Sequence, residues 1–123
     1  NILQNSLGPA RPVTIRVCGD DLRVSAEAAS AISLVVNELV QNALKYAFPS
    51  GQAGRIGIEL HSGRPLCQLT VWDNGVGFQA DRPRPGGAGL ELASTIVREK
   101  LTGEWSVESG PGGTRISFDF LEQ

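Results

Sequence analysis

Residues 25–48, SAEAASAISLVVNELVQNALKYAF, contain neither glycine nor proline, and they carry Ile32, Val35, Val36, Leu39, Ala43 and Tyr46 at helical spacing. Residues three and four apart line one side of an α-helix. The segment therefore predicts a long helix whose apolar stripe other elements must cover. Ser25 suits the N-cap position, where its hydroxyl can accept a first-turn N–H. Pro49, Ser50 and Gly51 end the helix. Glu38, Asn42 and Lys45 share a face of the same helix and border the apolar stripe. They read either as a solvated face or as the edge of a binding site. Asn42 favours the second reading: asparagine is a mediocre helix former, but its amide oxygen is a good neutral ligand for Mg²⁺, a cation that takes few protein oxygens. Lys45 can meet a phosphate as a point charge. Glu38 can orient or deprotonate a water or hydroxyl.

The cover for that stripe is legible on both sides of it. VTIRVCG (13–19) alternates apolar and polar residues, as a strand with one solvated face does. RIGIELHS (55–62) and LCQLTVWD (66–73), joined by Gly-Arg-Pro, predict an antiparallel hairpin. LELASTIVREKLTG predicts a second amphipathic helix closed by Gly103, with Arg98 and Lys100 in its last turns. EWSVESG and GTRISFDF predict a final pair of strands around Gly110, Pro111, Gly112 and Gly113. This order predicts an α+β fold, a two-layer sandwich of a mixed, mostly antiparallel sheet with both helices on one face. At 123 residues the chain suits one domain over 1–123 with a real core.

Charge and composition exclude several classes. A net charge of −2 without clustered basic residues argues against nucleic-acid binding. No apolar run approaches the roughly 18 residues of a membrane span, and no secretory leader is recognisable. Cys18 and Cys67 lie in separate strand-like stretches without a CxxC pair, so both are expected to be buried or partly buried free thiols in a reducing cytoplasm. Met is absent and the chain starts at Asn1, so it is expected to be a piece of a longer protein.

Between the hairpin and the second helix lies DNGVGFQADRPRPGGAG, from Asp73 to Gly89, which cannot be regular structure. A glycine-rich turn leading into a helix can bind anions, because unpaired N–H groups point outward there and glycine permits close approach. Gly86, Gly87 and Gly89 suit that role. The stretch is neither a Walker loop nor a Rossmann fingerprint. Asp73 reads as an ordinary turn residue or as a carboxylate accepting from an exocyclic amine, with Gly77 leaving room for a flat ring.

Together, ELVQNALKY, DNGVGF, GGAGLELA and GPGGTRISFDF resemble, in order and spacing, the N box, the two glycine boxes and the closing Gly-Gly-Thr strand of the Bergerat ATP-binding fold. That fold is shared by sensor histidine kinases, gyrase, MutL-type proteins and a heat-shock chaperone. NELVQNALKYAF and the compact length resemble the catalytic domain of a bacterial two-component sensor histidine kinase, and GLELASTIVREKLTGEWSVESGPGGT is similar to its HWE-like branch. The resemblance implies ATP and Mg²⁺ as cofactors. It implies that Asn42 holds the metal, that Glu38 polarises the reacting group, that Lys45 contacts phosphate, and that Tyr46 meets the ribose or base. It further implies that Asp73 binds the adenine amino group in a pocket shaped by Gly75 and Gly77. Gly87 and Gly89 would hinge a lid over the phosphates beside Leu90, and Thr114 would complete the adenine pocket through water.

Glu91 departs from the family by replacing the last glycine of the second box, and no Phe-containing box lies between Phe78 and Gly86, so Phe78 is read as packing. His61, the sole histidine, falls in a predicted strand and is expected to be an ordinary strand-end residue. The phospho-acceptor histidine is then expected on a separate dimerisation domain, with a response regulator as an indirect partner. This chain alone should bind nucleotide without autophosphorylating. An anti-sigma-factor serine kinase, a gyrase- or chaperone-like ATPase driven by Glu38, and a degenerate non-enzymatic module remain as alternatives.

Overall fold

Ser25 adopts an extended backbone and its hydroxyl accepts the Ala28 N–H at 3.1 Å, so the long helix starts immediately after it. A computed structural model describes residues 13–49, 52–63, 65–77 and 88–121. In chain order the elements are β1 (Val13–Gly19), α1 (Ala26–Tyr46), β2 (Gly54–His61), β3 (Leu66–Asp73), α2 (Ala88–Lys100), β4 (Trp105–Gly110) and β5 (Gly113–Leu121). The strands form one sheet in the order β1-β2-β3-β5-β4. Only β1 and β2 pair in parallel. That pair is joined through α1, because parallel neighbours need a long crossover. The expected two-layer, mixed and mostly antiparallel α+β sandwich is therefore what forms.

Alternation along the strands sorts their side chains. Cys67, Leu69 and Val71 of β3 stand opposite Phe120, Phe118 and Ile116 of β5, and all six are buried. The Phe118 and Phe120 rings lie 6.1 Å apart in a tilted arrangement. Val35, Leu39 and Ala43 of α1 and Ala93 and Val97 of α2 complete the core. Ile32, Val36 and Tyr46 of the predicted stripe are half-buried. Ala31, Val40 and Leu44 are buried as well, because α1 packs on both the sheet and α2, so its covered arc exceeds one stripe. A fully buried Leu or Val contributes about 1.5–3 kcal/mol, so this junction dominates the stability of the layer.

The other side of the sheet is mostly polar, apart from the exposed pair Leu66 and Leu121 and one large aromatic. Trp72 lies across Gly57, where a methyl would fall 2.1 Å from the indole, and its Nε1–H donates to Glu59 Oε2 at 2.8 Å. Cys18 corrects an expectation. Both cysteines are free, and Cys67 is buried, but Cys18 is exposed. Edge strand β1 carries Val13 and Ile15 on the core side, so alternation turns Cys18 to the helix-free side, where none of the described residues buries it. At the end of α2, Thr102 is the non-glycine residue with positive φ (52°), and Gly103 N–H donates to the Val97 carbonyl at 3.0 Å. Among the described residues, no helix is long and apolar enough to cross a membrane.

Candidate functional site

The three polar residues of α1 do not share one environment. Asn42 is buried, Glu38 is half-buried and Lys45 is exposed near the helix end. A solvated-face reading therefore fails for Asn42. Glu38 reaches toward α2, where a methyl at Gly89 would sit 3.0 Å from its Oε2. A carboxylate is favoured beside the start of a helix, where N–H groups and the dipole present positive charge. Tyr46, half-buried, ends α1.

Asp73 ends β3 and is 7% exposed. The registers place it opposite Ile56 on one side and Thr114 on the other. Its Oδ1 accepts the Gly75 N–H at 2.9 Å, a local bond that opens the turn. Asn74 extends the ladder beyond the strand: its Oδ1 accepts the Arg55 N–H at 2.7 Å, and its own N–H donates to the Arg55 carbonyl at 3.2 Å. Val76 N–H donates to the carbonyl of Ala47 at 2.9 Å, which ties the loop to the end of α1.

The glycines of this loop serve its seating. A methyl at Gly75 would lie 2.2 Å from the Ala47 carbonyl oxygen, and one at Gly77 (φ +69°) 1.9 Å from that of Gly110. A side chain at Gly77 is thus excluded by the end of β4, and glycine there permits the close backbone approach. At the start of β5, a methyl on Gly113 (φ +130°) would lie 2.0 Å from the Asp73 carbonyl oxygen. Thr114, 4% exposed, follows it. Its Oγ1 lies 2.7 Å from the Oγ of Ser109, its partner on β4.

An open depression of about 520 Å³ lies at this end of the sheet, lined by Asp73, Asn74, Ser109, Thr114, Trp72 and Arg115 together with the turn. It reaches Asp73 and Thr114 but not Glu38, Asn42 or Lys45. The expected residues thus form two groups: Asp73, Gly75, Gly77 and Thr114 at the sheet end, and Glu38 with Gly89 between the helices. Leu90 is half-buried and packs against the core. Phe78, Gly86 and Gly87 lie outside the described residues. His61 is at the strand end, as expected, with Nε2 3.7 Å from Glu59 Oε1 and its side chain 60% exposed.

Ala47, Asn74 and Ser109 escaped the sequence reading. Asn74 carried a signal, standing next to Asp73 in a turn-forming DNG. Ser109 carried none until the register paired it with Thr114. Among the described residues, no group of three or more His, Cys, Asp or Glu could hold a metal ion. The donor set fits Mg²⁺ only in the form that ion prefers, one protein amide oxygen supplemented by ligand oxygens and water, with Asn42 as the amide.

Residues 27–123 match the family described as histidine kinase-, DNA gyrase B-, and HSP90-like ATPase. The chain is similar to blue-light-activated histidine kinase 2 of Erythrobacter litoralis, at 33% identity over 112 residues, 87% of this chain and 32% of the relative. It is also similar to the serine-protein kinase RsbW of Listeria innocua, at 30% identity over 89 residues, 59% of this chain and 57% of the relative. Both spans fall short of two-thirds of the relative's length. Among solved structures, the histidine kinase domain of the Erythrobacter litoralis EL346 blue-light activated kinase superposes with a TM-score of 0.78 at 28% identity. The match covers 89% of this chain and 54% of that one.

Proposed function

Because the chain belongs to the histidine kinase-, DNA gyrase B- and HSP90-like ATPase family, we propose that it is the ATP-binding catalytic domain of a sensor histidine kinase. It would transfer the γ-phosphoryl group of ATP to a histidine on a separate dimerisation domain of the same protein, from which a response regulator draws the phosphate. The cytoplasm, where ATP is held, is its place of action. The observation that carries this reading is the burial of Asn42 on α1, in a chain whose Asp73 and Thr114 are also buried at the sheet end.

In this reading Asp73 accepts the adenine amino group and Thr114 supports it. Asn42 holds Mg²⁺ through its amide oxygen, Lys45 meets the phosphates, and Glu38 orients the reacting group. Bound Mg²⁺ supplies neutralisation of phosphate charge. Phosphoryl transfer needs positioning and electrostatics more than covalent chemistry from the protein, which suits a site made of one amide, one lysine and backbone N–H groups.

The similarity to RsbW favours a second reading, a serine kinase of the same fold. The histidine kinase match spans more of the chain, 87% against 59%, which supports the first reading over the second. The test is to incubate the chain with Mg-ATP alone and with a histidine-bearing dimerisation domain. Acid-labile phosphate is expected on the added domain and none on this chain. Self-labelling of His61, steady hydrolysis without an acceptor that Glu38→Ala abolishes, or phosphoserine on an added antagonist would each overturn the assignment.

A further inference from the structure

We propose that the helix-free face of the sheet, around Trp72, docks an acidic segment of a partner protein. The proposal stands independently of the nucleotide reading. It comes from one row of residues. The registers align Arg16 of β1, Gly57 of β2, Trp72 of β3, Arg115 of β5 and Glu108 of β4 across all five strands on that face. Arg55 stands two residues before Gly57 in β2 and shares its side, since alternate residues of a strand point the same way. The Trp72 indole covers Gly57 and is half-buried. Arg16, Arg55 and Arg115 fringe it on three sides.

These cations have no counter-charge. The chain holds 11 lysines and arginines against 13 acidic residues, so composition alone does not force arginines to stand unpaired. Yet all three are exposed, and among the described residues none of them makes an ion pair or a side-chain hydrogen bond. Glu59, two residues beyond Gly57, is engaged elsewhere. Its Oε2 accepts from Trp72 Nε1 at 2.8 Å, and its Oε1 lies 3.7 Å from His61 Nε2. Glu108 stands across the ladder from Arg115 and forms no ion pair with it. Three strands far apart in the sequence thus bring positive charge to one place.

The chemistry selects the occupant. Arginine holds a carboxylate through two parallel N–H donors, and the flat indole between the cations suits an apolar residue between two carboxylates. Tryptophan and arginine are also the residue types that most often carry protein interfaces. A nucleic acid fits less well. Its affinity grows with the number of phosphates neutralised, and three arginines in a chain of net charge −2 neutralise few. The segment expected here is short, with aspartates or glutamates on both sides of one aromatic or aliphatic residue.

The experiment is an NMR titration of the whole isotope-labelled chain with the capped peptide Asp-Asp-Phe-Asp-Asp, its counterpart Asn-Asn-Phe-Asn-Asn, and a short oligothymidylate. The acidic peptide is expected to move the amide signals of Arg16, Gly57 and Arg115 and the indole N–H of Trp72, while that of Leu34, exposed on α1, stays in place. An exposed charge pair is worth about 1.5- to fivefold in affinity. Arg16→Gln, Arg55→Gln and Arg115→Gln should each weaken the acidic peptide by about that factor, and the three together by about tenfold. Equal affinity for the two peptides, signals that move only on the helices, tighter binding of the oligothymidylate, or an unchanged affinity in the triple variant overturns the proposal. Should the triple variant not fold, salt decides: exposed pairs are screened, so a salt-independent affinity of the wild-type chain is the same refutation. Trp72 and Arg115 also line the depression at the sheet end, so the titration is repeated with saturating ADP. Peptide binding is expected to persist; displacement by ADP would assign the arginines to the nucleotide and end the proposal.

Discussion

The sheet end and the helix pair are built in opposite ways. At the sheet end, the loop from Asp73 to Gly77 is pinned by bonds from Gly75 to Asp73, Asn74 to Arg55 and Val76 to Ala47, and by glycine contacts that leave no space for a side chain. Between the helices, Glu38, Asn42 and Lys45 hang from a single element and range from buried to exposed. Backbone fixes the first region and side-chain chemistry defines the second. Substitution at the sheet end should therefore cost fold and binding together. On α1 it should cost binding more than fold.

The largest expected effect falls on the pinned side. Gly113→Val places a branched side chain at φ +130°, with its first carbon 2.0 Å from the Asp73 carbonyl oxygen. Backbone strain and overpacking each cost about 1–3 kcal/mol. Urea denaturation should show a loss of about 3 kcal/mol or more, with nucleotide binding lost in step; an unchanged midpoint would break the contrast at once. Asn42→Ala probes the other side. Removing a hydrogen-bonding group that meets a charged ligand costs about 1.5–3 kcal/mol of binding, so Mg-ADP affinity should drop at least about tenfold in titration calorimetry. Its melting transition should move much less than that of the Gly113 variant, and a comparable stability loss would erase the distinction.

The smallest effect lies outside both regions and calibrates the scale. Thr102 holds φ at 52°, a conformation that costs a β-branched residue about 1–2 kcal/mol. Thr102→Gly relieves that strain while enlarging the freedom of the unfolded chain. A net gain of about 0.5–1 kcal/mol in chemical denaturation is expected, without change in ADP affinity.

Local signals were readable in the sequence and long-range pairing was not. Ser25, the spacing of Val35, Leu39 and Ala43, and the alternation in LCQLTVWD specified helix and strands, because caps and periodicity act over a few residues. Asp73 was readable as the polar end of an apolar strand. What stayed hidden depends on which strand lies beside which. With β5 inside and β4 at the edge, Ser109 meets Thr114. With β1 at the opposite edge, Cys18 is left exposed despite an apolar setting. The close packing at Gly77 is hidden for the same reason, since the carbonyl that excludes a side chain there comes from Gly110, far along the chain.

Trp72 precedes Asp73 in β3, and its indole rests on Gly57 with the Nε1–H bound to Glu59. A natural fluorophore thus stands next to the carboxylate on the same strand and lines the same depression. Its emission, separated from that of Trp105 by a Trp105→Phe background, reports on any adjustment of β3 without an extrinsic dye.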